Sequence, residues 1–64
     1  MKLKELAPLI TSRYIVGVRS GTEFIEEFDC CTHSKIIEYG NALVTGIHVF
    51  NEDMIAINVD VSEN

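Results

Sequence analysis

Basic residues are scarce in this chain. Five Lys and Arg stand against ten Asp and Glu, a formal net charge of −5. Proteins that bind nucleic acid directly display a basic patch, because phosphate contacts supply most of their affinity. Here Lys2, Lys4, Arg13, Arg19 and Lys35 are scattered, and only the first two lie close together. The shortage argues against direct nucleic-acid binding and against docking to an anionic membrane. Long apolar runs are missing too: none approaches the ~18 residues of a membrane span, and residues 1–8 lack the apolar stretch of a signal peptide. Cysteine is limited to Cys30 and Cys31, adjacent in sequence. Neighbouring Cα atoms lie about 3.8 Å apart, short of the roughly 4.4–6.8 Å usual for a disulfide. Two thiols with no good mutual partner suit a reducing compartment, so a cytoplasmic protein is expected. Internal repeats, low-complexity segments and a glycine-rich phosphate loop followed by lysine are likewise absent.

What is present fits one small domain over residues 1–64. A chain this short buries only about 60% of the surface its unfolded form exposes. Its core is therefore thin, and such domains gain support from a disulfide, a metal or a second subunit. Hydrophobic residues make up 47% of the chain, enough apolar surface to fold rather than remain disordered.

The strongest pattern lies in the last third. Ile55, Ile57, Val59 and Val61 alternate with Ala56, Asn58 and Asp60 at the period of a half-buried strand. With Asn51, Glu52 and Asp53 as a three-residue loop, Phe50 faces Met54, Val49 faces Ile55, Ile47 faces Ile57, Thr45 faces Val59 and Leu43 faces Val61. That register gathers nearly all the β-branched pairs on one face. The other face then carries Val44, Gly46, His48, Phe50, Met54, Ala56, Asn58 and Asp60. It is unusually apolar around Phe50, Met54 and Ala56 for a surface in water.

Residues 14–19 and 23–28 read as a second strand pair about a Ser20-Gly21 turn. A two-residue loop sets Val16 opposite Ile25 and Gly17 opposite Phe24. A three-residue loop sets Val18 opposite Phe24, Arg19 opposite Glu23 and Arg13 opposite Asp29. The latter gives two opposite-charge pairs and gathers Tyr14, Val16, Val18, Phe24 and Phe28 on one face, with Glu26 among them. Residues 2–11 carry Leu3, Leu6, Ala7 and Ile10 at helical spacing. Pro8 interrupts them, so this helix either starts late, with Pro8 in its first turn, or stops at Ala7. Thr32 or Ser34 caps a short helix through Ile36, Ile37 and Tyr39, and Gly40-Asn41 supplies a left-handed residue to end it. The fold class that results is α+β: short helix, hairpin, short helix, hairpin, with a sheet of about four antiparallel strands.

Chemistry-bearing constellations are few. Cys30, Cys31 and His33 form the one group of soft ligands, with His48 distant in sequence. Paired zinc cysteines commonly have two to four residues between them. Adjacent cysteines on extended chain point to opposite sides, so no metal is expected. A Cys31–His33 nucleophile pair needs a positive microenvironment, whereas Glu26, Glu27 and Asp29 nearby raise a thiol pKa. One cysteine is expected to pack as a small hydrophobe while the other lies near the surface. Glu23, Glu26, Glu27 and Asp29 lack the glycine-punctuated spacing of a calcium loop and suit a solvated strand that blunts a sheet edge. No catalytic residue and no cofactor site follows.

The opening Leu-Lys-Glu-Leu-Ala-Pro-Leu-Ile followed by Tyr-Ile-Val-Gly-Val-Arg resembles small uncharacterised proteins of Gram-positive phages and prophages, which often place such a helix before a β-hairpin. The resemblance covers about twenty residues and transfers no functional residue. It implies an accessory or host-interaction role. The sequence thus leads to a non-enzymatic binding or assembly protein, working as a homo-oligomer or on a protein partner. Val44, Phe50, Met54 and Ala56 are its candidate interface. An acidic inhibitor occupying a nucleic-acid-binding site on another protein is the alternative, and a small thiol-dependent enzyme ranks third.

Overall fold

A computed structural model describes residues 1–62 of the chain. Among them the order is α1 (Leu3–Leu6), a 3₁₀ turn (Ala7–Leu9), β1 (Arg13–Ser20), β2 (Glu23–Asp29), α2 (His33–Glu38), β3 (Leu43–Asn51) and β4 (Met54–Asp60). The strands form one sheet in the order β2-β1-β4-β3, with both helical segments on one face. The α+β class read from the sequence is the class observed.

The sheet is mostly antiparallel, as expected, but β1 and β4 pair parallel, from Arg13 beside Met54 to Arg19 beside Asp60. The route of the chain explains the difference. Helix α2 returns the chain from the end of β2 to the start of β3, so those two strands run the same way. Each hairpin then reverses direction, and β1 and β4 meet side by side in parallel. The two strands with the most buried residues thus lie in the middle. Val16, Val18, Ile57 and Val59 are fully buried, joined by Leu3 from the helical layer. Leu6, Ala7, Ile10, Ile36 and Tyr39 pack against them from above.

Pro8 does end the first helix early. Regular α-helix spans Leu3–Leu6, and the proline sits in the following 3₁₀ turn, where its missing N–H breaks no α-helical bond. The helix start is tied to the sheet: the Leu3 amide donates to the Ala42 carbonyl at 3.0 Å and the Lys4 amide to that of Gly40 at 2.9 Å. Gly40 is required for this approach rather than for a left-handed turn. A Cβ there would lie 3.3 Å from both the Lys4 Cβ and the Ile37 carbonyl, and only Gly21 among the described residues has positive φ. The expected left-handed Gly40 cap is therefore replaced by a tight helix–helix contact. Thr32 precedes α2, but its hydroxyl donates to Asp29 Oδ1 at 3.2 Å instead of capping the helix.

Both hairpin registers depart from expectation through bulges. In the first, Ser20 pairs with Glu23 across a two-residue Gly21-Thr22 turn, with Gly21 at φ 65°, a conformation glycine adopts without strain. A shift then leaves Arg19 beside Phe24 but Val18 beside Glu26. Neither anticipated loop gives these pairs. The extra residue, Ile25, turns Phe24 away from the core, and its ring is 54% exposed. Tyr14, Val16, Val18 and Phe28 do share the buried face with Glu26, which pairs with Val18 where the expected register sets it opposite Val16.

In the second hairpin the middle register is as read: Val49 with Ile55 and Ile47 with Ile57. Its two ends slip. Asn51 pairs with Met54, leaving Phe50 as an extra residue. Beyond Thr45, Val44 pairs with Val59 and Leu43 with Asp60, in place of the expected Thr45–Val59 and Leu43–Val61 pairs. Each bulge adds one residue to β3 and so inverts the faces beyond it.

Candidate functional site

The sheet face away from the helices is a shallow trough, and three rows of neighbouring residues build its floor. Ile15, Ala56 and His48 form one row across β1, β4 and β3; Gly17, Asn58 and Gly46 form the next; Arg19 and Asp60 follow. The two glycines make room for the Asn58 side chain. A Cβ on Gly17 would meet Asn58 Oδ1 at 3.3 Å, and one on Gly46 would meet Nδ2 at 3.7 Å. The amide thus lies between them, with its oxygen toward Gly17 and its nitrogen toward Gly46. A glycine inside a strand commonly marks such a close approach.

Two aromatic rings stand on the walls. Phe24 rises from β2, with the Arg19 guanidinium 5.9 Å from its ring centroid. Phe50 rises from the bulge of β3 and is 60% exposed. Glu27 and His48 line the same trough. A floor that mixes Ile15 and Ala56 with the polar Asn58, His48 and Arg19, between aromatic walls, suits protein recognition, where amphipathic and aromatic groups dominate the contact.

The four anticipated interface residues separate. Phe50 and Ala56 both line the trough, though Ala56 is floor rather than contact surface, only 7% exposed. Met54 begins β4 beside Arg13 and Asn51. Val44 is a correction: the Thr45 bulge turns it to the helical face, where it packs against the core. Ile15, Arg19 and Phe24 belong to the trough and were not anticipated. Gly17 and Gly46 were the sequence signal for it, since both interrupt strand-forming runs.

A second cluster lies on the helical face. Glu26, beside Val18 in the inner layer, accepts hydrogen bonds from the Tyr39 hydroxyl and from Lys35 Nζ at 3.1 Å. Those bonds hold the Glu26 carboxyl below its usual pKa, with the Tyr39 bond the larger cause. The Lys35 and Tyr39 pKa values rise in return, chiefly through their bonds to Glu26. Tyr39 also stacks on Phe28, ring centroids 5.9 Å apart. The cluster pins α2 to β2, and its carboxylate is already occupied.

Cys30 packs partly buried against the core while Cys31 is exposed, both as free thiols. This is the division expected of them. The neighbouring Cys30 and the Asp29 carboxylate raise the Cys31 pKa, which disfavours the reactive thiolate. His33 opens α2, whereas His48 lies beside Ala56 in the trough, so the chain does not draw the soft ligands together. Among the described residues no group of three or more His, Cys, Asp or Glu is placed to hold a metal ion, and no helix is long and apolar enough to cross a membrane.

Comparison with protein-family models, with curated proteins and with solved structures gave no match.

Proposed function

We propose that this protein is a non-enzymatic interaction module that takes a protein partner on the trough. One observation carries the reading: Phe24 and Phe50, 54% and 60% exposed, flank a floor of Ile15, Ala56 and Asn58 on the sheet face that no helix of the described residues covers. Large aromatics in water on both sides of a concave surface are costly unless a partner covers them. A cytoplasmic accessory role, of the kind the phage-protein resemblance suggests, accords with it.

Proteins retained by the wild-type chain and lost with a Phe24→Lys/Phe50→Lys pair test the reading. Contacts resting on apolar burial persist as salt rises. The acidic-inhibitor alternative draws on the exposed Glu23, Glu27 and Asp29 of β2. It predicts a partner that survives the aromatic substitutions and dissociates steeply above physiological ionic strength. A partner indifferent to both aromatic rings, at any salt, overturns the trough as the binding surface.

A further inference from the structure

The open edge of β3 is bulged at Thr45 and Phe50, but it lacks the charge and proline that usually complete the protection of a sheet edge. No residue from Leu43 to Asn51 carries a formal charge, and no proline or inward-pointing charge interrupts the strand. Met1 and Lys2 cover its first two residues: the Val44 amide donates to the Met1 carbonyl at 2.8 Å, and Lys2 pairs with Leu43. Among the described residues, no strand lies beside the outer backbone edge of residues 45–51. Their side chains are open to water on both faces, with Ile47 52%, Val49 74% and Phe50 60% exposed. We infer that this edge pairs antiparallel with the β3 of a second copy, joining two four-stranded sheets into one of eight strands about a two-fold axis. The inference deepens the interaction-module reading and rests on it, naming a second copy as one partner at the backbone edge that borders the trough at Phe50.

Charge selects the occupant and its direction. Lys2 lies at one end of the open edge, and Glu52 and Asp53 form the turn at the other. Antiparallel pairing brings Lys2 of each copy to the acidic turn of the other, twice over. Parallel pairing would set acid against acid and base against base, and an unrelated strand has no reason to match this polarity. The same self-pairing at the opposite edge would align Glu23, Glu27 and Asp29 with their own copies. Net repulsion between two copies at −5 is weakened by placement: the acidic β2 strands would stand about seven strand spacings apart, roughly 34 Å, against a Debye length of about 8 Å.

Register follows from the span of the free edge. A two-fold normal to the sheet preserves faces, so the central residue must oppose itself. Residues 45–51 centre on His48. Ile47 then opposes Val49 of the second copy on the helical face, and Gly46 opposes Phe50 on the trough face. Apolar β-branched pairs stabilise adjacent strands, and an aromatic ring over an edge glycine covers what that glycine leaves bare.

Sedimentation velocity from low micromolar to submillimolar protein tests the pairing. Wild type is expected to dimerise with concentration. Val49→Lys should weaken the dimer at least about tenfold, because it sets a charge against Ile47 twice per dimer. Val49 is exposed, so an unchanged thermal transition confirms that the variant folds. A Glu52→Lys/Asp53→Lys chain should also dimerise less, and adding Lys2→Glu should restore it, which a parallel pair would not permit. Phe24→Lys, far from the edge, should leave the dimer intact. Wild type monomeric throughout, or a Val49→Lys dimer as tight as wild type, overturns the inference. Loss with Phe24→Lys but not Val49→Lys would move self-association to the trough, overturning the edge while upholding the reading above it.

Discussion

The two edges of this sheet are opposites. β2 carries four acidic residues among its seven, and α2 is fastened over it through Glu26, Lys35 and Tyr39. β3 carries no charge among its nine residues, and the helical layer leaves its Ile47 and Val49 open to water. Both edges belong to hairpins whose central strands bury three residues each, so the difference does not arise from the core. It arises from what each edge must do. A charged, covered edge resists pairing with another chain, whereas an uncharged open one invites it. An edge with so little charge is a liability for uncontrolled pairing unless a defined second chain occupies it.

The largest test of the comparison uses two isoleucines that face each other across β3 and β4. Ile57 is fully buried, while its neighbour Ile47 is 52% exposed. Ile57→Ala should destabilise by about 2–4 kcal/mol, through lost burial and the cavity left behind. Ile47→Ala should cost less than about 1 kcal/mol, as substitutions at half-exposed sites do. Urea unfolding at a concentration dilute enough to suppress association measures both. Equal costs would mean that the β3 edge is covered within a single chain, and the contrast between the edges would collapse.

The same pair shows what was legible beforehand. Strict alternation over residues 55–59 set the middle of the second hairpin, because a one-residue slip there would expose every isoleucine. The ends were not legible. A bulge is one added residue with no side chain peculiar to it, so Thr45 and Phe50 gave no warning, and Val44 was assigned to the wrong face. Ile25 hid the first hairpin's bulge in the same way and carried Phe24 out of the expected core. The parallel β1–β4 pair was beyond local pattern altogether, since strand order depends on where α2 returns the chain. The trough was half legible: Phe50 and Ala56 were anticipated, while the strand glycines that shape it, Gly17 and Gly46, carry no side chain that shows the room they leave for Asn58.

The turns sharpen the comparison at the next scale. The first hairpin reverses through Gly21 at φ 65°, while the Glu52-Asp53 turn uses no positive φ. Gly21→Ala should therefore destabilise by about 1–2 kcal/mol, because a side chain strains the left-handed backbone. An open space surrounds that position, so the cost is conformational and not steric. Asp53→Ala should cost less, removing the Asp53 side chain while keeping its amide's 2.8 Å bond to Asn51 Oδ1. Thermal melts of the two variants side by side decide it, and a Gly21→Ala chain as stable as wild type would show that the turn adopts another form.

The smallest effect lies in how the β2 edge is fastened, and pH reads it out. Hydrogen bonds from Tyr39 and then Lys35 hold the Glu26 pKa below its usual value in the folded chain. A carboxyl with a lowered folded pKa binds protons more tightly when unfolded. Its contribution is therefore complete above the unfolded value, near 4.3, and is lost as pH falls through the folded one. Glu26→Gln keeps an acceptor for the Tyr39 hydroxyl but removes the charge opposite Lys35. The Gln variant should be less stable than wild type at neutral pH, and the gap should narrow as pH drops below about 4. Because the cluster is partly exposed, with Lys35 and Glu26 side chains 35% and 32% accessible, salt should shrink the gap as well. Equilibrium unfolding of both chains from neutral pH to about pH 3 makes the measurement. β3 carries no carboxyl, so Val49→Lys and Ile47→Ala chains should keep the wild-type acid profile. A gap that stays constant across the whole acid range would mean that shape rather than charge holds α2 to β2, and that the acidic edge is protected only by its repulsion.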